Sequence, residues 1–211
     1  ESQLFLNGLC IANEVNSFWV SKLSRIMISS HRIYQLSIAN KIGLKIPDTL
    51  ITNDSRKVLQ FHKECKSGII AKAVGVGVPV KNQEGYNYYE IVYTKLLDKV
   101  TLKENIDTIK YAPTIFQSYI DKDVELRVTV VGNDVFTCAI HSQSHSDEKV
   151  KIDWRRVSPV EIQHSIYELP NKIKKLCVQL VKELGLQYGA IDIIKNKDGE
   201  YIFLEINADG Q

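Results

Sequence analysis

The chain has 211 residues, 44% hydrophobic and 25% charged, which is the composition of an ordinary globular protein. Its 27 basic and 25 acidic residues leave a net charge of +2, so charge gives no reason to expect nucleic-acid binding. No apolar run is long enough to span a bilayer, and the first residues lack the features of a signal peptide. We therefore expect a cytoplasmic protein with neither a membrane nor a nucleic-acid partner.

The cysteines lie far apart in the sequence, at Cys10, Cys65, Cys138 and Cys177, and none forms a CxxC pair. This spacing favours unpaired, partly buried thiols in a reducing compartment.

Helices and strands mix in the first half of the chain. Capping and stop signals predict a helix that ends at Gly43 and a second helix that begins at Asn53 or Asp54. The predicted helices lie at 31–42 and around 58–65, and the predicted strands at 50–52, 68–74, 88–94 and 114–119.

Two hairpins and one strong helix are predicted in the second half. The first hairpin joins strands at 125–131 and 135–143, and the second covers about 188–207. An amphipathic helix at 170–184 lies between them, and 144–168 is predicted to be mostly loop. Because strands and helices do not alternate regularly, we expect an α+β fold.

The last hairpin carries a candidate metal site. Asp198 and Gly199 are typical of a two-residue turn, and this turn would place Asp192 directly opposite Glu205. Asn207 follows two residues after Glu205 and therefore shares its face. Two opposed carboxylates repel each other, and a magnesium ion bound by these oxygen ligands would remove that repulsion.

A solvated hairpin face whose acids pair with lysines is the alternative to a metal site. Ile194 and Phe203 are predicted to share the acidic face, and their apolar character argues against free solvation. The remaining apolar residues of the hairpin are predicted to form the core face: Ile191, Ile193, Leu204 and Ile206. A slip of one residue in the pairing would destroy the metal site.

Lys72 lies within an otherwise apolar strand and so needs an anionic partner. Phosphate oxygens are one candidate, since the nearby Gly75 and Gly77 leave backbone N–H groups accessible. The alternative is an edge-strand lysine whose ammonium reaches water.

Polar and apolar residues alternate from Glu125 onwards, which places Glu125, Arg127 and Thr129 on one strand face. Glu125 could accept hydrogen bonds from ribose hydroxyls, and Arg127 could hold a carboxylate or phosphate with two hydrogen bonds. A cross-strand salt bridge is the competing interpretation for each residue.

Taken together, these residues resemble the ATP-grasp superfamily of carboxylate ligases, in which an acid–acid–amide triad holds magnesium. Longer stretches resemble one branch, the graspetide maturases or microviridin-type peptide ligases. These stretches are Ile46–Asp54, Glu125–Gly132, His141–Gln143, Asp153–Arg155, Gly189–Asp192 and Phe203–Asn207.

The resemblance implies an ATP-grasp fold of two α+β lobes with ATP bound between them. Residues 31–115 would form the N-lobe with a glycine-containing lid at 75–85, and 116–211 the C-lobe with a hinge and the magnesium site. Residues 1–30 would be the remnant of a preceding domain, and we expect the chain to be truncated at its C-terminus.

The resemblance also implies roles for single residues. Arg32 stands where the family has a phosphate-binding lysine, and Ser118 where the hinge often has a glutamate. The implied ligands of ATP are Arg32, Lys72, Gln117, Tyr119, Ile120 and Glu125. Arg127 and Arg155 would grip the acceptor carboxylate, and Asp192, Glu205 and Asn207 would bind magnesium.

The implied reaction is the ATP- and Mg²⁺-dependent activation of Asp or Glu side chains in a ribosomally made precursor peptide with a leader. Attack by Thr, Ser or Lys would then close a ring. A glutamate ligase that modifies a ribosomal protein end and a non-catalytic nucleotide-binding module are the alternatives. A homodimer is left open.

Overall fold

The computed structural model describes residues 5, 8, 9, 12, 18–72, 78–81, 87–90 and 93–209. The described residues form two compact units. The first unit draws on Glu1–Ile46, Lys122–His141 and His164–Gln211, and the second on Pro47–Asp121 and Ser142–Gln163. The units are therefore interleaved in sequence, whereas the predicted lobes at 31–115 and 116–211 are each continuous.

Helices and strands are numbered in chain order. The helices are α1 (Leu23–Ser29), α2 (Arg32–Lys41), α3 (Ser55–Glu64), α4 (Lys99–Asn105), α5 (Glu148–Ile152) and α6 (Asn171–Glu183). The strands are β1 (Thr49–Thr52), β2 (Ile69–Lys72), β3 (Val78–Lys81), β4 (Asn87–Glu90), β5 (Lys95–Leu97), β6 (Thr114–Ser118), β7 (Lys122–Val131), β8 (Asp134–Ile140), β9 (His164–Ile166), β10 (Tyr188–Asn196) and β11 (Tyr201–Asn207).

The first unit contains an antiparallel sheet with the strand order β11-β10-β7-β8-β9. Alternate residues of β7, including Leu126, Val128 and Val130, are fully buried on one face of this sheet. They pack in one core cluster with Leu36 of α2 and Leu180 of α6. The residues between them, including Glu125 and Arg127, point to the opposite face of the sheet.

The second unit contains a four-stranded sheet with the order β1-β6-β2-β5. Its core holds Val58 of α3, Ile69 of β2 and Phe116 of β6. Strands β3 and β4 pair with each other as a separate two-stranded sheet. Most of the predicted glycine-containing lid at 75–85 lies outside the described residues. The mixture of helices and antiparallel sheets confirms the predicted α+β class.

The predicted helix boundaries follow the capping chemistry. The α2 helix ends one residue before Ile42, and Gly43 then takes a φ of 92°. Asp54 caps α3 by accepting a hydrogen bond from the Arg56 backbone N–H at 2.9 Å. Gly185 follows α6 with a φ of 74°, a left-handed conformation that favours glycine.

Several elements differ from the prediction. The polar segment 144–168 is not mostly loop, since it contains α5, short 3-10 turns and the edge strand β9. The β7 strand begins at Lys122, three residues before the predicted start at 125. The α1, β5 and α4 elements were not predicted. No helix among the described residues is long and apolar enough to cross a membrane.

Candidate active site

Asp192 and Glu205 are directly paired across β10 and β11, as predicted. Asn207 pairs with Ala190, two positions along the same ladder, and therefore lies on the same face. Direct pairs in antiparallel sheets have Cβ atoms about 4.5–5.5 Å apart. The two carboxylates and the amide thus form a compact row of side-chain oxygens near one edge of the sheet.

The turn that joins these strands is not the predicted one. The Asn196 backbone N–H donates to the Glu200 carbonyl at 2.9 Å, and Gly199 takes a φ of 80°. The loop therefore has three residues, which moves the pairing near the turn by one position. An irregularity between Asp192 and Ile193 restores the predicted pairing at the acids.

This irregularity also changes which residues face the core. Ile193 pairs with Phe203, and both belong to the core cluster of the first unit. The prediction that Phe203 shares the acidic face is therefore wrong, and so is the prediction that Leu204 lies in the core, since Leu204 is only half-buried. Ile194 pairs with Ile202 and lies outside that cluster, consistent with the acidic face.

Each carboxylate has an arginine partner. Arg127 Nε lies 3.0 Å from Asp192 Oδ1, and Arg32 Nη2 lies 2.7 Å from Glu205 Oε2. The four side chains are between 19% and 24% exposed, so neither acid is freely solvated, and each has a guanidinium beside it. The cross-strand salt bridge considered for Arg127 is present, and it joins Arg127 to the predicted metal site.

The donor set fits a magnesium ion. Asp192, Glu205 and Asn207 supply the carboxylate and amide oxygens that this hard cation prefers, and they share one sheet face. Among the described residues, no group of three or more His, Cys, Asp or Glu side chains is arranged to hold a metal. The candidate site instead relies on two acids and one amide.

Glu125, the predicted ribose ligand, forms an ion pair with Lys122, whose Nζ lies 3.0 Å from Glu125 Oε1. Lys122 is 6% exposed and Glu125 is 12% exposed. Sequence reasoning missed Lys122, because the strand was predicted to begin only at residue 125.

In the second unit, Lys72 and Gln117 lie on one face of the four-stranded sheet. Gln117 pairs with Ile70 of β2, and Ile70 is two residues from Lys72, so their side chains point to the same side. Gln117 is 2% exposed and donates from Nε2 to Thr49 Oγ1 at 3.0 Å. Within the described part of the chain, its buried Oε1 has no hydrogen-bond partner.

The predicted hinge follows β6 directly. The Tyr119 backbone N–H donates to the Gly68 carbonyl at 3.0 Å, which ties the hinge to the start of β2. Ser118 accepts a hydrogen bond at its hydroxyl from the Asp48 N–H at 3.1 Å. Ile120 comes next and is half-buried.

Arg155 is held by Asp153 through two side-chain hydrogen bonds, Nε to Oδ1 at 2.8 Å and Nη2 to Oδ2 at 2.7 Å. The Thr94 backbone N–H also donates to Asp153 at 2.8 Å. Burial alone would raise the pKa of Asp153, but the Arg155 and Thr94 hydrogen bonds outweigh it and lower the pKa to about 2. Asp153 therefore stays charged and fixes the guanidinium of Arg155.

The predicted site residues thus form two groups, one in each unit. The first unit brings together Arg32, Glu125, Arg127, Asp192, Glu205 and Asn207 around one face of its sheet. The second unit carries Lys72, Gln117, Tyr119, Ile120 and Arg155.

A family model described as the RimK-like ATP-grasp domain matches residues 29–211. This chain belongs to the RimK-like ATP-grasp family. The predicted resemblance to the ATP-grasp superfamily is thereby confirmed. The match covers both units and every predicted site residue of this ATP-grasp domain.

Solved structures of peptide-modifying ATP-grasp ligases are similar to this ATP-grasp domain. One is a RiPP-associated ATP-grasp ligase of Chryseobacterium gregarium in complex with ADP and a leader and core peptide, with a TM-score of 0.86 and 33% identity over 99% of this chain. The macrocyclase MdnC of Microcystis aeruginosa, bound with its precursor peptide MdnA, has a TM-score of 0.81 and 33% identity over 99% of this chain. The ATP-grasp ligase PsnB, complexed with a precursor variant, Mg and ADP, has a TM-score of 0.76 and 25% identity over 99% of this chain.

This chain spans only part of each of these proteins. It covers 60% of the Chryseobacterium ligase, 62% of MdnC and 59% of PsnB. The predicted similarity to the graspetide branch is confirmed, since these ligases have precursor or core peptides as partners.

Proposed function

We propose that this chain is the catalytic core of an ATP-dependent carboxylate ligase that cyclises a ribosomally made precursor peptide. The observation that carries the proposal is the row formed by Glu205, Asp192 and Arg127 on three adjacent strands. This row combines an oxygen-ligand pair for a cation with a guanidinium suited to a carboxylate or phosphate. The likeness to peptide-bound ATP-grasp ligases supports the assignment of the substrate class.

Three residues would bind one divalent cation in this scheme, namely Asp192, Glu205 and Asn207. Bound magnesium would offset the negative charge of the nucleotide phosphates during phosphoryl transfer. Arg32 stands beside Glu205 and is assigned to a phosphate, as is Lys72 in the second unit. Glu125 is assigned to the ribose hydroxyls, with Lys122 holding its carboxylate in place. The adenine base is assigned to Gln117, Tyr119 and Ile120.

Two chemical steps are proposed. An oxygen of an Asp or Glu side chain of the precursor attacks the γ-phosphorus of ATP, and the bond from that phosphorus to the bridging oxygen breaks to release ADP. A Thr or Ser hydroxyl, or a Lys amine, of the same peptide then attacks the carbonyl carbon of the acylphosphate. Phosphate leaves, the nucleophile loses its proton to solvent, and a side-chain ester or amide closes the ring.

Arg127 and Arg155 are assigned to the acceptor carboxylate and the acylphosphate. Arg127 is anchored on the central strand β7 by its ion pair with Asp192, and Arg155 by its two bonds to Asp153. Guanidinium groups that are pre-oriented in this way lose little side-chain freedom when they bind an anion.

ADP release distinguishes this function from the alternatives. The chain would be incubated with ATP, Mg²⁺ and either a leader-containing precursor peptide or free glutamate, and the products followed by mass spectrometry. We expect ADP, and peptides that have lost one water for each new bond, in the incubation with the precursor peptide but not in the one with free glutamate. Turnover with free glutamate would favour a glutamate ligase instead, and no ADP with any carboxylate would leave only a nucleotide-binding module. Since ATP and new peptides occur in the cytoplasm, we place the reaction there.

A further inference from the structure

A buried glutamine on α2 holds the strand that carries Glu205 and Asn207. Gln35 is 3% exposed and lies one helical turn after Arg32. Its Oε1 accepts a hydrogen bond from the Ile206 backbone N–H at 3.0 Å. Its Nε2 donates to the Ile206 carbonyl at 2.8 Å and to the Ser29 carbonyl at 2.7 Å. The amide of Gln35 therefore pairs with both backbone polar groups of one residue.

Ile206 stands between the two β11 residues of the candidate metal site. Among the strands of the described residues, β11 lies at the edge of its sheet, and none of them pairs with its outer side in that sheet. Ile206 is 2% exposed, so water cannot readily satisfy its backbone groups. Gln35 replaces a strand at this point and fixes the backbone on both sides of Ile206.

In the part of the chain that the structure describes, the hydrogen bonds that hold the outer edge of β11 occur at two separate points. The Phe203 N–H donates to the Lys45 carbonyl at 2.8 Å, and Lys45 pairs with Ile202 as an isolated bridge. The irregularity opposite Asp192 and Ile193 lies between that contact and Gln35. Because a bulge weakens local pairing, the backbone at Glu205 depends on its support at Ile206.

Helix α2 also contacts one side chain of the candidate metal site, that of Glu205. Arg32 forms its 2.7 Å ion pair with Glu205, while Gln35 holds the next residue by its backbone. The two residues are three apart in a helix and so lie on the same side of it. One helix face thereby positions both the backbone and a carboxylate of β11.

We propose that Gln35 is a positioning residue for divalent-cation binding, acting through the Ile206 backbone on Glu205 and Asn207. This inference rests on the proposed metal site. Replacing a residue that orients metal ligands without touching the metal typically changes the metal affinity by about 10–100-fold. Gln35 itself contacts no predicted substrate group and is therefore not assigned to the chemistry.

The test measures Mn²⁺ binding by electron paramagnetic resonance in the presence of ADP. Gln35→Met removes all three hydrogen bonds, and Gln35→Asn keeps the amide but shortens its reach. Both variants are expected to weaken Mn²⁺ binding by about tenfold or more. Excess Mg²⁺ is expected to restore ADP formation in them.

Val58→Ala is the matched control, because Val58 is fully buried in the core of the second unit. It is expected to lower the Tm without changing Mn²⁺ affinity. Unchanged Mn²⁺ affinity in a folded Gln35 variant would overturn the inference. If Asp192→Asn also kept normal Mn²⁺ affinity, the metal site of the proposed function would fail instead.

Hydrogen exchange in the unaltered chain provides a test that needs no variant. If Gln35 preorganises β11, the Ile206 amide exchanges slowly both before and after addition of Mg²⁺ and ADP. Fast exchange that becomes slow only with Mg²⁺ and ADP would mean that the ligand, rather than Gln35, orders this strand, and it would overturn the inference.

Discussion

Asp192 and Glu205 face each other across β10 and β11 because two one-residue deviations from a regular hairpin cancel. The three-residue loop that ends at Gly199 displaces the pairing near the turn, and the bulge beyond Ile193 returns it. The candidate metal site thus lies beside a β-bulge, a feature that is common next to active sites.

The first prediction concerns Asp192→Asn. This change keeps the size of the side chain but removes the charge that would hold magnesium. We expect ADP formation with a precursor peptide to fall by about 100-fold or more. The ion pair with Arg127 is partly exposed, so the free energy of unfolding should change by about 1 kcal/mol or less. Near-normal turnover in this variant would refute the metal assignment.

The second prediction compares Arg155 with its neighbour Arg156. Arg155→Lys loses the paired hydrogen bonds to Asp153 and should lower kcat/KM for the peptide by about 100-fold. The KM for ATP should stay unchanged, since Arg155 is assigned to the acceptor.

Arg156→Lys is the control for that experiment. The Arg156 guanidinium lies 4.6 Å from the ring centre of Tyr93, and the change should leave steady-state kinetics close to normal. Equal losses in the two lysine variants would point to a general structural effect of this segment rather than to acceptor binding.

The third prediction concerns the pH dependence of stability at Asp153. Its pKa of about 2 in the folded chain lies below the ordinary value of 3.8. The ionised form therefore stabilises the fold by about 2 kcal/mol above pH ~4, and this contribution is lost as the pH falls toward 2. Asp153→Asn should be less stable than the unaltered chain at pH 7, and the difference should shrink in acid.

Urea unfolding between pH 7 and pH 2 measures that difference. The two chains should converge as the pH falls. A difference that stays constant over this range would show that the loss comes from packing or from neutral hydrogen bonds, and not from the charge of Asp153.

The fourth prediction contrasts two ion pairs near the start of β7. Lys122 and Glu125 are 6% and 12% exposed, whereas Lys195 and Asp123 are 28% and 49% exposed. Lys122→Met removes the cation beside a largely buried carboxylate and should cost about 3 kcal/mol of stability. Lys195→Met should cost about 1 kcal/mol or less.

These two lysine variants also test the role of Glu125. If Glu125 binds the ribose, Lys122→Met should raise the KM for ATP, and Lys195→Met should leave it unchanged. Calorimetric titration with ADP gives the same comparison without turnover. Equal ADP affinity in both variants would count against Glu125 as a nucleotide ligand.

Local patterns in the sequence were sufficient for the three helices α2, α3 and α6 and for the two faces of β7. Alternation from Glu125 onwards separates the buried Leu126 from Arg127 whatever the rest of the chain does, because side chains of a strand point alternately to its two sides. Gly43 and Asp54 likewise predicted helix ends, since their backbone conformation and capping chemistry are local.

Only the tertiary structure decided which side chains the site residues contact. The bulge opposite Asp192 and Ile193 accompanies the packing of Phe203 into the core, and no local pattern in the sequence indicated it. Gln35 and Ile206 are 171 positions apart, and their hydrogen bonds require α2 to lie along the edge of β11. The sequence alone determined that Asp192, Glu205 and Asn207 could form a metal site. The fold decided what holds them in place, because such long-range pairings exist only once the chain is packed.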